Sequence, residues 1–88
     1  MKTQEQIDIR VAEARRAIEK HGQYISYRAD GILSFEDIER ICEPFRGTHH
    51  AKINYFADGR RPYQCFIIQK ERFNTSREGR MVRSEILF

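Results

Sequence analysis

At Gly47 the spacing of apolar residues changes from the helical period to the strand period, and a chain patterned that way must pack helices from its first half against a sheet from its second. Before that point Ile7, Val11, Ala14 and Ile18 recur at intervals of four, three and four, one stripe of a helix spanning Thr3 to Lys20. His21-Gly22 stops this helix, because glycine readily takes the left-handed conformation that closes one. Tyr24 to Arg28 alternates and is rich in aromatic residues, which predicts a short strand ended by the turn pair Asp30-Gly31. Ser34 then serves as the N-cap of a second helix with Glu36 and Asp37 in its first turn, and Phe35, Ile38, Ile41 and Cys42 fall on one face. Pro44 ends that helix by Cys42 or Glu43.

After Gly47, Ala51 to Phe56 reads as a strand, Asp58-Gly59 as a hairpin turn and Tyr63 to Arg72 as the partner strand. Cys65, Phe66, Ile67 and Ile68 are apolar on both faces, the mark of a central strand covered on each side. Asn74 to Gly79 is a polar loop, and Met81 to Phe88 a final strand with Val82, Ile86 and Phe88 on one side. The expected architecture is α+β: two helices packed on a small, mostly antiparallel sheet, in the order α-β-α-β-β-β with a C-terminal three-stranded meander. All of it falls in one domain, residues 1–88, with a helical half 1–44 and a β half 45–88.

A chain of 88 residues hides only about 60% of its unfolded surface on folding, so a partner or a second copy would add useful stability. The helix-one stripe is narrow, like a coiled-coil seam. It either packs on its own sheet or pairs with a second copy through Ile7, Val11, Ala14 and Ile18. The longest apolar run, Cys65 to Ile68, is far short of a membrane span, and the acidic N-terminal residues do not fit a secretory leader. A cytoplasmic location without membrane contact is expected. Cys42 and Cys65 are too few and too far apart for a disulfide scaffold, and their apolar neighbours mark them as reduced, buried residues. With His49 and His50 they offer four metal-ligand types, but not in the closely spaced pairs of a structural zinc site. No metal or cofactor is expected.

Charge is divided between the halves. Residues 1–44 carry 7 Lys+Arg against 9 Asp+Glu, a net of −2, whereas residues 45–88 carry 9 against 4, a net of +5. A basic surface with aromatic rings among its cations suits nucleic acid or an acidic protein, since cations attract phosphates or carboxylates and rings stack on bases. The expected contact residues are Arg46, Lys52, Arg60, Arg61, Tyr63, Lys70, Arg72, Arg77 and Arg80, with Arg60-Arg61 at the hairpin tip and Arg77 and Arg80 around the next loop. Glu36, Asp37, Glu39 and Glu43 read as a solvated acidic face, of a kind that can also imitate phosphates. No phosphate-binding glycine loop, paired-carboxylate site or nucleophile elbow is present.

One stretch carries a possible chemistry: Arg46-Gly47-Thr48-His49-His50, then a strand, the turn Asp58-Gly59-Arg60-Arg61 and another strand. It resembles the HicA-type toxins of bacterial toxin–antitoxin pairs, RNA-cleaving proteins in which a Gly-Ser-His element opens a strand leading into a hairpin. Gly47, Thr48 and His49 match that element with Thr in place of Ser. The resemblance implies a catalytic His49 and a hairpin that grips RNA, and histidine titrates in the range such acid–base chemistry needs. In that family a strand precedes the histidine and a helix ends the chain, whereas here a helix precedes it and the chain ends in Ile86-Leu87-Phe88.

Three functions are therefore open from the sequence. The first is a small non-enzymatic protein that contacts nucleic acid through its basic β half in a regulatory role. The second is a protein-targeting inhibitor or adaptor of phage or mobile-element type, acting against a host or defence system through its acidic helix or basic sheet. The third is RNA cleavage through His49.

Overall fold

The computed structural model describes residues 3–28, 34–58, 61–73 and 81–88, with the side chains at 27–28, 57–58, 61–63 and 81–82 excepted. Thr3 caps the first helix, α1 (Gln4–His21). Its hydroxyl accepts from the Gln6 N–H while the Gln6 side chain accepts from the Thr3 N–H, a reciprocal capping box. Gly22 closes the helix with φ +81°, and its N–H donates to the Ile18 carbonyl at 2.8 Å. Strand β1 (Gln23–Arg28) follows directly.

Helix α2 (Phe35–Cys42) is capped in the same reciprocal way by Ser34 and Asp37. Pro44 does not end the chain's turning at once: Glu43–Phe45 continues as one turn of 3-10 helix, with proline in its first turn where no N–H is needed. The remaining strands are β2 (His50–Asp58), β3 (Arg61–Gln69) and β4 (Met81–Ile86). The turn residues 30–31, Gly59 and the loop 74–79 lie outside the described residues.

The four strands form one antiparallel sheet in the order β1-β3-β2-β4. The α+β class and the element order are those expected, and β3 is internal, as its apolar run requires. The last three strands do not form a simple meander, however. β1 occupies the outer edge of β3, pairing Tyr24 with Ile68 and Ser26 with Phe66, so β4 joins the free edge of β2 instead. A register shift between Tyr55 and Phe56 accompanies that second pairing.

One sheet face presents Tyr24, Ala51, Ile53, Phe66 and Ile68, which form a single core with Ile7, Ala14, Ile18, Ile38, Ile41, Cys42 and Phe45 from the helical half. The helix-one stripe is used up in this contact. Ile7, Ala14 and Ile18 are buried and Val11 is partly buried against the same core, so the stripe packs within the chain. On the opposite sheet face Cys65 and Asn54 are buried, with Asn54 accepting from the Ser84 hydroxyl at 2.9 Å. Phe73 lies against this second face, its ring centroid 4.4 Å from Lys52 Nζ and 6.5 Å from the His50 ring.

Three apolar assignments change. Phe35 is 41% exposed at the start of α2, although Asp37 and Ile38 in the same turn are buried. Ile86 is 61% exposed because it shares the second face with Lys52 at the sheet edge. Leu87 and Phe88 turn inward together instead, held by hydrogen bonds between Ala51 and both residues. Among the described residues no helix is long and apolar enough to cross a membrane.

Candidate functional site

The cations expected to form one field are separated by the length of the sheet. Pairing of His50 with Gln69 and of Asp58 with Arg61 puts the start of β2 beside the end of β3, and the hairpin tip at the far end. Eight residues of extended strand separate the two ends by roughly 27 Å. Arg46, bridged to His49, and Lys70, next to Gln69, therefore lie toward one end with Lys52 two residues into β2, while Arg61 belongs to the other. Arg60, Arg77 and Arg80 lie outside the described residues, as do the side chains of Arg61 and Tyr63.

Several cations at the near end already have partners. Arg46 pairs with Glu43 at 3.1 Å and stands over the Phe88 ring at 4.7 Å, and Lys52 lies over Phe73. Arg83 stacks on Tyr55 at 4.1 Å, and the Tyr55 hydroxyl donates to Glu85 at 2.9 Å. Burial, then the Glu85 carboxylate, push the Tyr55 hydroxyl above its ordinary range.

What remains is a cleft of about 480 Å³ where α1, the 3-10 turn and the strand ends meet, lined by Arg15, Ile18, Glu19, Phe45, His49 and Lys70. Its geometry starts from the turn that enters β2. Gly47, at φ +88°, reverses the chain, so the N–H groups of Thr48 and His49 both donate to the Phe45 carbonyl, at 3.2 and 2.9 Å. The Thr48 hydroxyl also donates to that carbonyl and lies 2.7 Å from His49 Nδ1. The His49 ring meets the buried Phe45 ring edge-on with centroids 5.1 Å apart, and Arg15 stands over the same ring at 4.9 Å. Phe45 is thus the floor on which a cation from α1 and an imidazole from β2's approach are both positioned.

Burial lowers the His49 pKa from the usual histidine value, and the charges of Lys70, Arg15 and His50 lower it further. Neither Arg15 nor Lys70 has an ion-pair partner among the described residues. A second hollow of about 380 Å³, lined by His21, Gly22, Gln23, Gln69, Lys70 and Glu71, adjoins the first through Lys70. Lys70 therefore borders two concave regions on the same end of the sheet.

His49 and Lys70 are among the residues that stand out in the sequence, whereas Arg15 is not. The signal was present: Arg15 adjoins the buried Ala14 and lies one turn before Ile18, on the border of the apolar stripe. The acidic face of α2 is not uniformly solvated as its sequence suggests. Asp37 is only 1% exposed, paired with Arg40 at 3.6 Å and bonded back to Ser34, so it is a structural carboxylate rather than a solvated one. Glu36, Glu39 and Glu43 are exposed.

Cys42 and Cys65 are free and buried; burial pushes the Cys42 thiol up to about 12 and raises that of Cys65. His49 lines the cleft while His50 meets Phe73 on the other sheet face, and no group of three or more His, Cys, Asp or Glu could hold a metal among the described residues. Comparison of the chain with protein-family models, curated proteins and solved structures finds no match in any of the three. The likeness to HicA-type toxins accordingly rests on Gly47, Thr48 and His49 and the hairpin that follows.

Proposed function

We propose that this protein binds nucleic acid, without cleaving it, through the end of its sheet where β2 begins and β3 ends, in a regulatory role. The observation that carries the reading is that Arg15 and Lys70, brought from opposite halves of the chain, line one cleft with no carboxylate paired to either among the described residues. Cations left unpaired around a concave surface create a positive potential that attracts phosphate and whose strength falls with salt. The neighbouring hollow adds the amides of Gln23 and Gln69, side chains able to bond both phosphate and base edges.

The test is an anisotropy titration against labelled single-stranded RNA and duplex DNA at low and near-physiological salt, with wild type, Arg15→Glu/Lys70→Glu and Arg61→Glu. The double variant is expected to weaken binding by more than tenfold and to flatten its salt dependence, Arg61→Glu to act less. Absence of binding at low salt would overturn the reading and favour an acidic protein partner, the kind an inhibitor or adaptor of mobile-element type would engage.

One observation favours a second reading, RNA cleavage. Glu19 and His49 border the same cleft, and a carboxylate and an imidazole beside two cations are the groups that acid–base cleavage of a phosphodiester employs. Under this reading RNA is shortened by the wild type and left intact by both Glu19→Gln and His49→Ala, with folding unchanged.

A further inference from the structure

Anions are held by hydrogen-bond donors, and among the described residues lining the cleft His49 is the group whose donor capacity changes near neutral pH. Neutral imidazole has one N–H and one lone pair. When charged, His49 donates from Nδ1 to the Thr48 hydroxyl, whose own proton is directed at the Phe45 carbonyl. That arrangement satisfies Nδ1 locally and leaves Nε2–H as the donor available to a ligand.

The charges around His49 decide which anion fits. Arg15 and Glu19 come from α1 and Lys70 from the end of β3, while His50 follows on β2 with its ring on the other sheet face. Among the described residues that line the cleft, two fixed cations and one carboxylate leave a single excess positive charge with His49 neutral, enough for an internal phosphodiester. With His49 protonated the excess is two, which matches the dianion of a terminal phosphate, whose second pKa is about 6.

We propose that the cleft seats a terminal phosphate group, a phosphomonoester dianion, held by Arg15 and Lys70, and that His49 takes up a proton at Nε2 to become its third donor. The inference rests on the nucleic-acid reading for the carrier of that phosphate, not for the phosphate site itself. In the free protein burial, then the charges of Lys70 and Arg15, disfavour the imidazolium, and a bound dianion offsets those charges. Binding is therefore coupled to proton uptake and weakens as pH rises above neutrality.

Imidazole proton–nitrogen spectra of the whole protein, titrated from about pH 5 to about pH 8 with and without inorganic phosphate, test the site. Phosphate is expected to raise the His49 midpoint and to lose this effect in Arg15→Gln/Lys70→Gln. A His49 midpoint that ignores phosphate, or that moves equally in the double variant, overturns the proposal.

Anisotropy with 5′-phosphorylated and 5′-hydroxyl versions of one single-stranded oligonucleotide then identifies the carrier. About tenfold tighter binding of the phosphorylated form near pH 6 is expected, shrinking by about pH 8 and absent in His49→Gln. Equal binding of the two forms at every pH overturns the terminal-phosphate inference and leaves the nucleic-acid reading standing. A His49 response to phosphate with neither oligonucleotide bound sinks the nucleic-acid reading and keeps the phosphate site.

Discussion

The Arg15 guanidinium stands over the ring of Phe45, 4.9 Å from its centroid, and this contact ties the helical half of the chain to the turn that carries His49. Phe45 is 1% exposed, so its ring is core on one side and the floor of the cleft on the other. Replacing it by leucine keeps most of the volume and removes the flat surface. Phe45→Leu is expected to cost under about 1.5 kcal/mol in urea denaturation, yet to weaken the proposed nucleic-acid binding to the extent that Arg15→Ala does. A variant that loses stability but binds as tightly as wild type would show that the ring does not position the cleft.

The lowered pKa of His49 has a definite consequence for stability. Unfolded His49 binds its proton more readily than folded His49, so between the folded value and the ordinary value of 6.5 stability rises with pH. Denaturant midpoints of the free protein should therefore fall as pH drops below about 6.5, and His49→Gln should remove that component of the slope. Parallel wild-type and variant profiles would contradict it.

Gly47 and Gly22 both sit at positive φ, with nothing within 4 Å of the position a Cβ would take. Alanine at either site meets no clash and pays only for the left-handed backbone, about 1–2 kcal/mol. Gly22→Ala should lower stability alone. Gly47→Ala should lower stability by a similar amount and also weaken binding, because the turn it forms sets Thr48 and His49 on the Phe45 carbonyl.

Asp37 and Glu36 are adjacent and chemically alike, but only Asp37 is buried. Asp37→Ala removes the carboxylate that bonds the Ser34 N–H and pairs with Arg40, and a loss of about 1–3 kcal/mol is expected. Glu36→Ala should change stability by less than about 0.5 kcal/mol. Chemical denaturation of the two variants checks the contrast.

The Cys42 thiol, raised to about 12 by burial, stays protonated and unreactive in the native state. A thiol reagent at about pH 8 should label Cys42 only after denaturant is added. Folded Cys42 holds its proton more tightly than unfolded Cys42, so stability declines as pH rises from 9.0 towards about 12, and Cys42→Ala should lessen that decline. Rapid labelling without denaturant would mean that α2 opens readily.

Much of the fold was legible because its determinants are local. The Thr3 and Ser34 caps, the glycine stop at Gly22 and the strand alternation around β2 and β3 each depend on residues a few positions apart. The site was less legible. His49 and Lys70 stood out as residue types, but their meeting depends on pairing His50 with Gln69 across the hairpin, and Arg15 arrives from a different helix altogether. Asp37 reads as one acid among four until α2 is docked, when a rotation of one position along the helix separates a buried carboxylate from an exposed one.

The sequence by itself determined the α+β class, the order of elements and the central place of β3, since hydrophobic period, caps and apolar runs act over one turn or one strand. Only the tertiary structure decided that β4 pairs with β2, that the helix-one stripe is spent on the chain's own sheet, and that Arg15, His49 and Lys70 share one cleft. Those outcomes depend on which strand edge is free and which helix face meets the sheet, competitions between distant segments that no local spacing records.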